Sequence, residues 1–245
     1  MYADYAWGQS TAAESKAMVE KLGGKVLASI AVPLDTKDFV PYITQVPADT
    51  QVLLPAFIGS LSVGFYTQAK SMGLDRRVKM YSSSASIEAI APSDIEGAAE
   101  GVYFFENFPR MLSHKDDEFH REHNKLIEID NIDARETSSQ RIMAKSHAWQ
   151  AWEDIFALKQ AIEASGYKTR KDVEGVIQAL EGMQMKNSLA HPQGDKLIRK
   201  EDHVGVVDCY ISCVQNGRFE LKKRIPKEEL VQHMPVRFNL SSMPA

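Results

Sequence analysis

The chain has 245 residues, of which 44% are hydrophobic and 25% charged, and its formal net charge is −4. This composition is that of an ordinary globular protein with one large or two smaller domains, and it gives no reason to expect a nucleic-acid partner. No apolar run approaches the ~18 residues of a membrane span. The sequence also shows neither the cationic start nor the apolar stretch of a signal peptide.

The first hundred residues alternate strands and helices. The opening MYADYAWGQS reads as the end of a strand and a turn, followed by a predicted helix over Ser10–Leu22 and a strand over Lys25–Val32. TQVLLPAF predicts a buried strand, Ser60–Met72 a helix, and RVKMYSSS and GVYFFENFP two further strands. This order predicts a parallel α/β sheet covered on both faces, in which very little of the first strand is present.

The second half of the sequence predicts a helical block and a closing hairpin. Its helices are expected over Asp116–Ile129, Ser146–Ser165 and Arg170–Glu181, with no strands on which they could lie. DHVGVVDCYISCV and RFELKKRIP then predict two strands joined by Gln215–Asn216–Gly217, because an Asn-Gly pair favours a tight hairpin turn.

Neither the cysteines nor the histidines predict a special site. Cys209 and Cys213 lie four residues apart on a predicted strand, about 13 Å, which is too far for a disulfide and indicates two buried thiols. His120 and His123 have a spacing that could hold a metal, but a charged, solvated helix face explains the same letters. No metal site is therefore predicted.

Three predicted strand ends offer a candidate ligand site: Asp4–Gly8, Pro55–Gly59 and Tyr81–Ser84. Parallel sheets bind ligands at the carboxyl ends of their strands. Aromatic side chains, hydroxyls and helix N-terminal amides at this edge suit a small amphipathic solute such as a carboxylate. No nucleophile with a base, phosphate loop or dinucleotide motif accompanies them, so no catalytic residue and no cofactor is predicted. An α/β enzyme is the less favoured alternative.

The residues DYAWGQS, LGGKVLASIAVPLDTKDFVPYI and QVLLPAF…QAKSMGL resemble lobe two of type I periplasmic solute-binding proteins. These form the branched-chain amino-acid binding family that serves ATP-driven (ABC) importers. Further on, AWQAWEDIFALKQAIEASG, VIQALEG and IRKEDH resemble later landmarks of the same family. The resemblance implies two α/β lobes with ligand trapped in the cleft when they close.

The resemblance also implies a division of the chain. Residues 1–107 and 203–245 would form lobe two, a nearly complete parallel-sheet lobe with the C-terminal hairpin, and 108–202 a mainly helical remnant of lobe one. Relative to the family, the chain is expected to lack its N-terminal segment. Trp149, Trp152 and Phe156 would then form an exposed apolar patch, and self-association through these helices is expected.

For the site, the resemblance implies that Tyr5, Trp7, Phe57, Ser82 and Ser83 contact the ligand. Ser82 and Ser83 fall near the place where amino-acid binders of the family carry an acid for the ligand's ammonium, and YSSSAS contains none. A desolvated ammonium without a counter-charge is costly, which favours an aromatic or aliphatic carboxylate over an amino acid.

The function implied is an extracytoplasmic solute-binding component of an ABC importer, without catalytic turnover, whose partners are a small organic solute and the permease subunits. The periplasmic location follows from the resemblance only. A ligand-sensing domain of a receptor or regulator shares the same fold and remains the main alternative.

Overall fold

The computed structural model describes residues 1–86, 97–107, 121–122, 125, 136–140 and 145–236. By internal contacts the chain divides into two units: the first comprises Met1–Glu106, Ile129–Met143 and Ile211–Lys222, the second Asn107–Glu128, Ala144–Tyr210 and Lys223–Ala245. The predicted helix Asp116–Ile129, with its two histidines, lies outside the described residues apart from residues 121–122 and 125.

The described strands are β1 (Tyr2–Ala3), β2 (Ala31–Val32), β3 (Val52–Leu53), β4 (Lys79–Ser83), β5 (Tyr103–Glu106), β6 (Gln184–Met185), β7 (Lys196–Ile198), β8 (Gly205–Val206), β9 (Cys209–Gln215) and β10 (Arg218–Ile225). The described helices are α1 (Ala6–Lys21), α2 (Val40–Ile43), α3 (Gly59–Ser71), α4 (Leu74–Arg77), α5 (Lys145–Ser165), α6 (Val173–Leu180) and α7 (Lys227–His233).

The main sheet has five strands in the order β10-β9-β5-β4-β3, and β3, β4 and β5 run parallel. β1 pairs with β2 in parallel, and a parallel bridge between Tyr2 and Ala56 connects β1 to the chain that leaves β3. The predicted parallel α/β arrangement is therefore confirmed, since each of these parallel connections needs a crossover such as α1 or α3.

The core of the first unit lies between the sheet and α3. Leu61, Phe65 and Ala69, spaced at four residues, are buried on one stripe of α3. Met80 and Phe104 point to them from β4 and β5 and belong to the same apolar cluster. Because alternate residues of a strand face opposite sides, the intervening residues lie on the other face of the sheet.

Helix α1 packs very closely on β1. Gly8 is buried, and a Cβ atom at this position would overlap the carbonyl oxygen of Ala3. The helix ends where the sequence predicts, since Gly23 adopts φ 83°, a conformation that residues with side chains rarely take. Residue 8 must therefore be glycine for the helix to approach its strand.

Strand β2 is much shorter than the predicted Lys25–Val32. Only Ala31 and Val32 pair with β1, whereas residues 25–29 make no backbone–backbone hydrogen bond within the described structure. The physical reason is the extent of the pairing, because β1 covers only Tyr2–Ala3 and therefore lies opposite Ala31–Val32 alone. A strand-like sequence needs a partner strand before it becomes a strand.

The second unit combines helices with a small sheet. α5 packs on α6, whose first turn follows a capping box in which Thr169 and Asp172 satisfy each other's backbone amides. β6, β7 and β8 form an antiparallel sheet. The expectation that the helical block has no strands is therefore wrong; these strands are two or three residues long, too short for sequence periodicity to reveal.

The aromatic residues of α5 are less exposed than expected. Trp149 is 1% exposed, and Trp152 and Phe156 are half-buried, with the Trp152 indole N–H donating to the Leu189 carbonyl at 3.0 Å. The prediction that these three residues form a large exposed patch is wrong for Trp149. Other apolar residues of α5 and α6 are exposed instead, Ile155 most of all at 68%.

The predicted hairpin is present as β9 and β10. Asn216 and Gly217 have φ of 53° and 71°, the left-handed pair that a tight turn between twisted strands requires, and the Glu100 carboxylate accepts both of their amides. Part of this hairpin lies in the first unit and part in the second. The assignment of 1–107 and 203–245 to one lobe, and of 108–202 to another, stays a prediction.

Candidate functional site

The carboxyl ends of the parallel strands in the first unit carry the predicted ligand residues. β1 leads into α1, β3 leads through residues 54–58 into α3, and β4 leads into a 3₁₀ turn at Ser84–Ser86. Because these strands run in the same direction, their ends lie at the same edge of the sheet. The five predicted residues are all at this edge: Tyr5, Trp7, Phe57, Ser82 and Ser83.

Tyr5 and Trp7 form an aromatic pair where α1 begins. Tyr5 is extended, with φ −154° and ψ 174°, and the first helical turn brings its ring to 6.0 Å from that of Trp7. Both rings are half-buried, and Tyr5 also packs against the apolar core. The pair therefore combines a fixed position with accessible aromatic surface, which suits contact with a flat or apolar solute.

Phe57 occupies a different environment. Its side chain is 1% exposed and packs at ring-centroid distances of 5.6 Å and 5.2 Å from Phe39 and Phe65. This is the packing of a core residue, so Phe57 supports the segment that follows β3 from the side of the apolar core. Its predicted direct contact with a ligand stays a prediction.

Ser82 fastens two strand ends together. Its hydroxyl lies 2.6 Å from the Pro55 carbonyl oxygen and 2.6 Å from the Ser86 hydroxyl, which in turn donates to the Phe57 carbonyl at 2.8 Å. Each hydroxyl has one proton, so the three contacts cannot all be hydrogen bonds at once. Ser82 therefore has a structural role, because it connects the end of β4 to the segment after β3. The half-buried Ser83 lies on the opposite face of β4.

The Tyr66 hydroxyl is buried beside the same two serines. It lies close to Ser82 and Ser86 without a well-aligned hydrogen bond to either. Burial raises the pKa of Tyr66 to about 12, with the serine hydroxyls acting weakly in the other direction. The phenol is therefore neutral at physiological pH, and it places a buried O–H dipole beside Ser82 and Ser86.

Two helices begin at this edge without a side-chain cap. The residue before α1 is Tyr5 and the residue before α3 is Ile58, and neither side chain accepts a hydrogen bond from its first turn. Uncapped first-turn N–H groups, together with the positive end of the helix dipole, favour an anionic group such as a carboxylate.

Two residues at this edge, Asp4 and Ser86, are not among the five predicted ligand contacts. Asp4 directly follows β1, is exposed, and its carboxylate accepts a hydrogen bond from the Gln9 amide at 2.9 Å. Ser86 was overlooked because it lies beyond the predicted end of β4, although its buried hydroxyl connects to Ser82. The signal for Asp4 is its position directly after a predicted strand, whereas YSSSAS at the end of β4 contains no acid.

The second unit holds a buried polar cluster of a structural kind. The Glu153 carboxylate accepts the Gln193 amide at 2.6 Å and forms an ion pair with Lys196, which also donates to the Gln193 side chain at 2.9 Å. Burial raises the pKa of Glu153, and Lys196 opposes that shift. Burial likewise lowers the pKa of His191, whose Nε2 lies 2.9 Å from the Gln160 amide. The cluster ties α5 to the loop before β7.

The cysteines are buried and unpaired by any disulfide, as the sequence predicts. Burial raises the pKa of Cys209 to about 12, with Asp208 adding to the effect, so this thiol is a packing residue with little nucleophilic character. Within the described ranges, the histidine, cysteine and acidic side chains form no group of three that could hold a metal ion. None of the helices in those ranges combines the length and apolar character needed to cross a bilayer.

The chain has a type I periplasmic binding fold of the α/β class. Its sequence matches the periplasmic binding protein family over residues 1–218. The chain therefore belongs to the periplasmic binding protein family, which confirms the resemblance that the sequence predicted. No curated protein sequence matches it.

Solved structures of solute-binding proteins share this fold at low sequence identity. A Rhodopseudomonas palustris HaA2 protein in complex with p-hydroxybenzoic acid has a TM-score of 0.71 at 21% identity, over 94% of this chain and 61% of that one. A second R. palustris protein, in complex with 4-hydroxybenzoate, has 0.67 at 21%, over 91% and 58%. A leucine-, isoleucine-, valine-, threonine- and alanine-binding protein from Brucella ovis has 0.68 at 16%, over 96% and 59%. The chain thus spans less than two thirds of the length of each.

Proposed function

We propose that the chain belongs to the extracytoplasmic solute-binding component of an ABC importer. It captures a small organic solute and delivers it to membrane permease subunits, and it works in the periplasm without catalytic turnover. The observation that carries the proposal is the family match over residues 1–218. The strand-end edge supports it, because aromatic surface and uncapped helix starts meet there.

We further propose that the solute carries a carboxylate next to an aromatic or aliphatic group. The uncapped amides of α1 and α3 would receive the carboxylate, and the Tyr5–Trp7 pair would contact the apolar part. The benzoate-type ligands named for two structural neighbours of the chain fit this description. The edge itself would be supported or lined by Phe57, Ser82 and Ser83.

Asp4 supports a second solute class, the amino acids. Its exposed carboxylate lies at the same edge and could pair with an α-ammonium group, the counter-charge that β4 lacks. The two classes differ in one measurable respect: an Asp4→Asn variant would weaken binding of leucine but leave binding of benzoate unchanged.

The experiment is a calorimetric titration of the chain with benzoate, 4-hydroxybenzoate and leucine, followed by recovery of the solute. We expect saturable binding of at least one of them and its recovery unchanged. A Trp7→Ala variant should raise the Kd by at least about tenfold, the effect of losing a central aromatic contact. The matched control is Tyr167→Ala, a half-buried aromatic in the second unit, which should leave the Kd unchanged.

Two outcomes would contradict the proposal. Conversion of the solute into a product would favour the α/β enzyme. Equal loss of affinity in the Trp7 and Tyr167 variants would contradict the assignment of the ligand site to the strand ends. The ligand-sensing alternative is distinguished by sequence context, since a downstream membrane span or kinase would favour a sensor and an adjacent permease gene an importer.

A further inference from the structure

The turn between β9 and β10 combines an exposed asparagine with a glycine directly after it, Asn216 and Gly217. This pair is chemically reactive, because the unhindered backbone nitrogen of a glycine can attack the side-chain carbonyl carbon of the preceding asparagine. The other asparagines of the described residues are Asn107, which precedes a phenylalanine, and Asn187, which precedes a serine. Among these three, Asn216 therefore has the neighbour that hinders such an attack least.

The folded turn opposes this reaction by its geometry. Asn216 and Gly217 have φ of 53° and 71°, in the left-handed region. A left-handed residue has ψ of about +47°, which directs the next backbone nitrogen nearly opposite to its own Cβ atom. Attack requires that nitrogen on the same side as Cβ, so the peptide between the two residues must first rotate by roughly half a turn. The turn must therefore open before Asn216 can react.

The Glu100 carboxylate holds the turn in its closed conformation. Its two oxygens accept the amide of Asn216 at 2.8 Å and the amide of Gly217 at 3.2 Å. Hydrogen bonds from backbone N–H groups to an ionised carboxylate are stronger than those between neutral groups. Rotation of the peptide that joins the two residues would break the bond to Gly217, so Glu100 raises the free energy of opening.

Backbone hydrogen bonds keep Glu100 beside this turn. Its amide donates to the Gly97 carbonyl at 3.0 Å, and the amide of the next residue, Gly101, donates to the Val214 carbonyl at 2.9 Å. Val214 in turn donates to the Val102 carbonyl at 3.1 Å. The segment that carries the carboxylate is thus joined to β9 two residues before the turn, and all of these residues belong to the first unit.

We propose that Asn216 is a deamidation site that the Glu100 carboxylate protects, and that its conversion to aspartate or isoaspartate loosens the hairpin of β9 and β10. In the first step the Gly217 nitrogen bonds to the Asn216 side-chain carbonyl carbon and gives up its proton. The bond from that carbon to the side-chain nitrogen breaks, and ammonia leaves with the proton. One water molecule then adds to either carbonyl of the resulting succinimide ring. No redox step is involved, and the exposed turn has access to the water.

Both products weaken the contacts that hold the turn. Aspartate keeps the turn geometry but places a second carboxylate on a residue whose amide Glu100 already accepts, and like charges at short range repel. Isoaspartate adds a methylene group to the backbone, which the two-residue turn between paired strands does not accommodate. Since β10 is the last strand of the five-stranded sheet, the hairpin turn is one of its main connections to the neighbouring strand.

The test follows deamidation of the whole chain at neutral pH by mass spectrometry of fragments that contain Asn216. A synthetic peptide of residues 214–219 gives the rate without the fold. We expect the chain to react more slowly than the peptide by at least about tenfold, because only the opened turn reacts. Glu100→Ala should speed the reaction of the chain by at least about fivefold, the effect of losing one net hydrogen bond. Glu100→Gln, which keeps an acceptor oxygen without the charge, should lie between the two.

The matched control is Glu220→Ala. Glu220 lies on β10 of the same hairpin and pairs with Lys222 at 2.7 Å, so its removal should leave the rate unchanged. Equal rates in the unsubstituted and Glu100→Ala chains would overturn the proposal. A slower reaction in Glu100→Ala would also overturn it, since the carboxylate would then assist the attack. The same acceleration in Glu220→Ala as in Glu100→Ala would show that the loss of any nearby charge suffices, against the role of the two hydrogen bonds.

The effect on the hairpin is measured on the deamidated fraction, separated after incubation. Hydrogen–deuterium exchange of fragments covering residues 209–225 should be faster than in the unreacted chain by at least about threefold. Unchanged exchange would contradict the loosening of the hairpin. Circular dichroism establishes that each variant is folded, and Glu100→Gln carries the comparison if Glu100→Ala is not. The inference does not depend on the proposed solute-binding function.

Discussion

The buried amine of Met1 makes the stability of this chain depend on pH in a defined window. Burial lowers the pKa of this amine from 8.0 to about 6. The folded state therefore binds fewer protons than the unfolded state between these two values. Stability is fully present above pH 8, decreases as the pH falls from 8 to 6, and is not reduced further by this group below pH 6.

The magnitude follows from the shift. Two pKa units at about 1.4 kcal/mol each correspond to roughly 2–3 kcal/mol of unfolding free energy between pH 8.5 and pH 5.5.

The assay is urea unfolding of the free-amine chain and of the chain acetylated at Met1, each at pH 5.5 and 8.5. Because both chains carry the same side chains, any other pH-dependent contribution cancels in the difference between the two pH dependences. We expect the free-amine chain to lose roughly 2–3 kcal/mol more on acidification than the acetylated chain. Identical pH dependence in both chains would refute the burial of this amine.

Three further variants test the packing described above. Gly8→Ala should cost more than about 2 kcal/mol of unfolding free energy, because its methyl group would overlap the backbone of β1. Lys196→Met should cost about 3–5 kcal/mol, because it leaves a buried carboxylate without its partner. Self-association of the chain should be visible by light scattering at micromolar concentration, and Ile155→Glu should reduce it, because this residue is the most exposed apolar side chain of α5.

The controls are matched by residue type. Gly175→Ala lies within α6, where the new methyl group meets only a side-chain atom at 3.4 Å, and should be neutral or stabilising by up to about 1 kcal/mol. Lys186→Met breaks an exposed ion pair and should cost less than about 1 kcal/mol. Equal losses in Gly8→Ala and Gly175→Ala, or in the two lysine variants, would contradict the reasoning. A monodisperse monomer would contradict the self-association.

The sequence by itself determined most of the first unit. The α3 stripe, the strand over RVKMYSSS, the Asn216–Gly217 turn and the parallel order all follow from local patterns, because periodicity and turn residues depend on near neighbours in the chain. The resemblance to the family was also recognisable, because short segments typical of it occur in the same order along this sequence. At the candidate site, the strand ends could be located, since a parallel sheet always brings them to one edge.

Only the tertiary structure decided how individual residues are used. Trp149 was predicted to be exposed and Phe57 to contact a ligand, yet both side chains are buried, because burial depends on what other segments pack against a residue. Lys25–Val32 has the composition of a strand and is mostly unpaired, because pairing depends on a neighbour that no local pattern encodes.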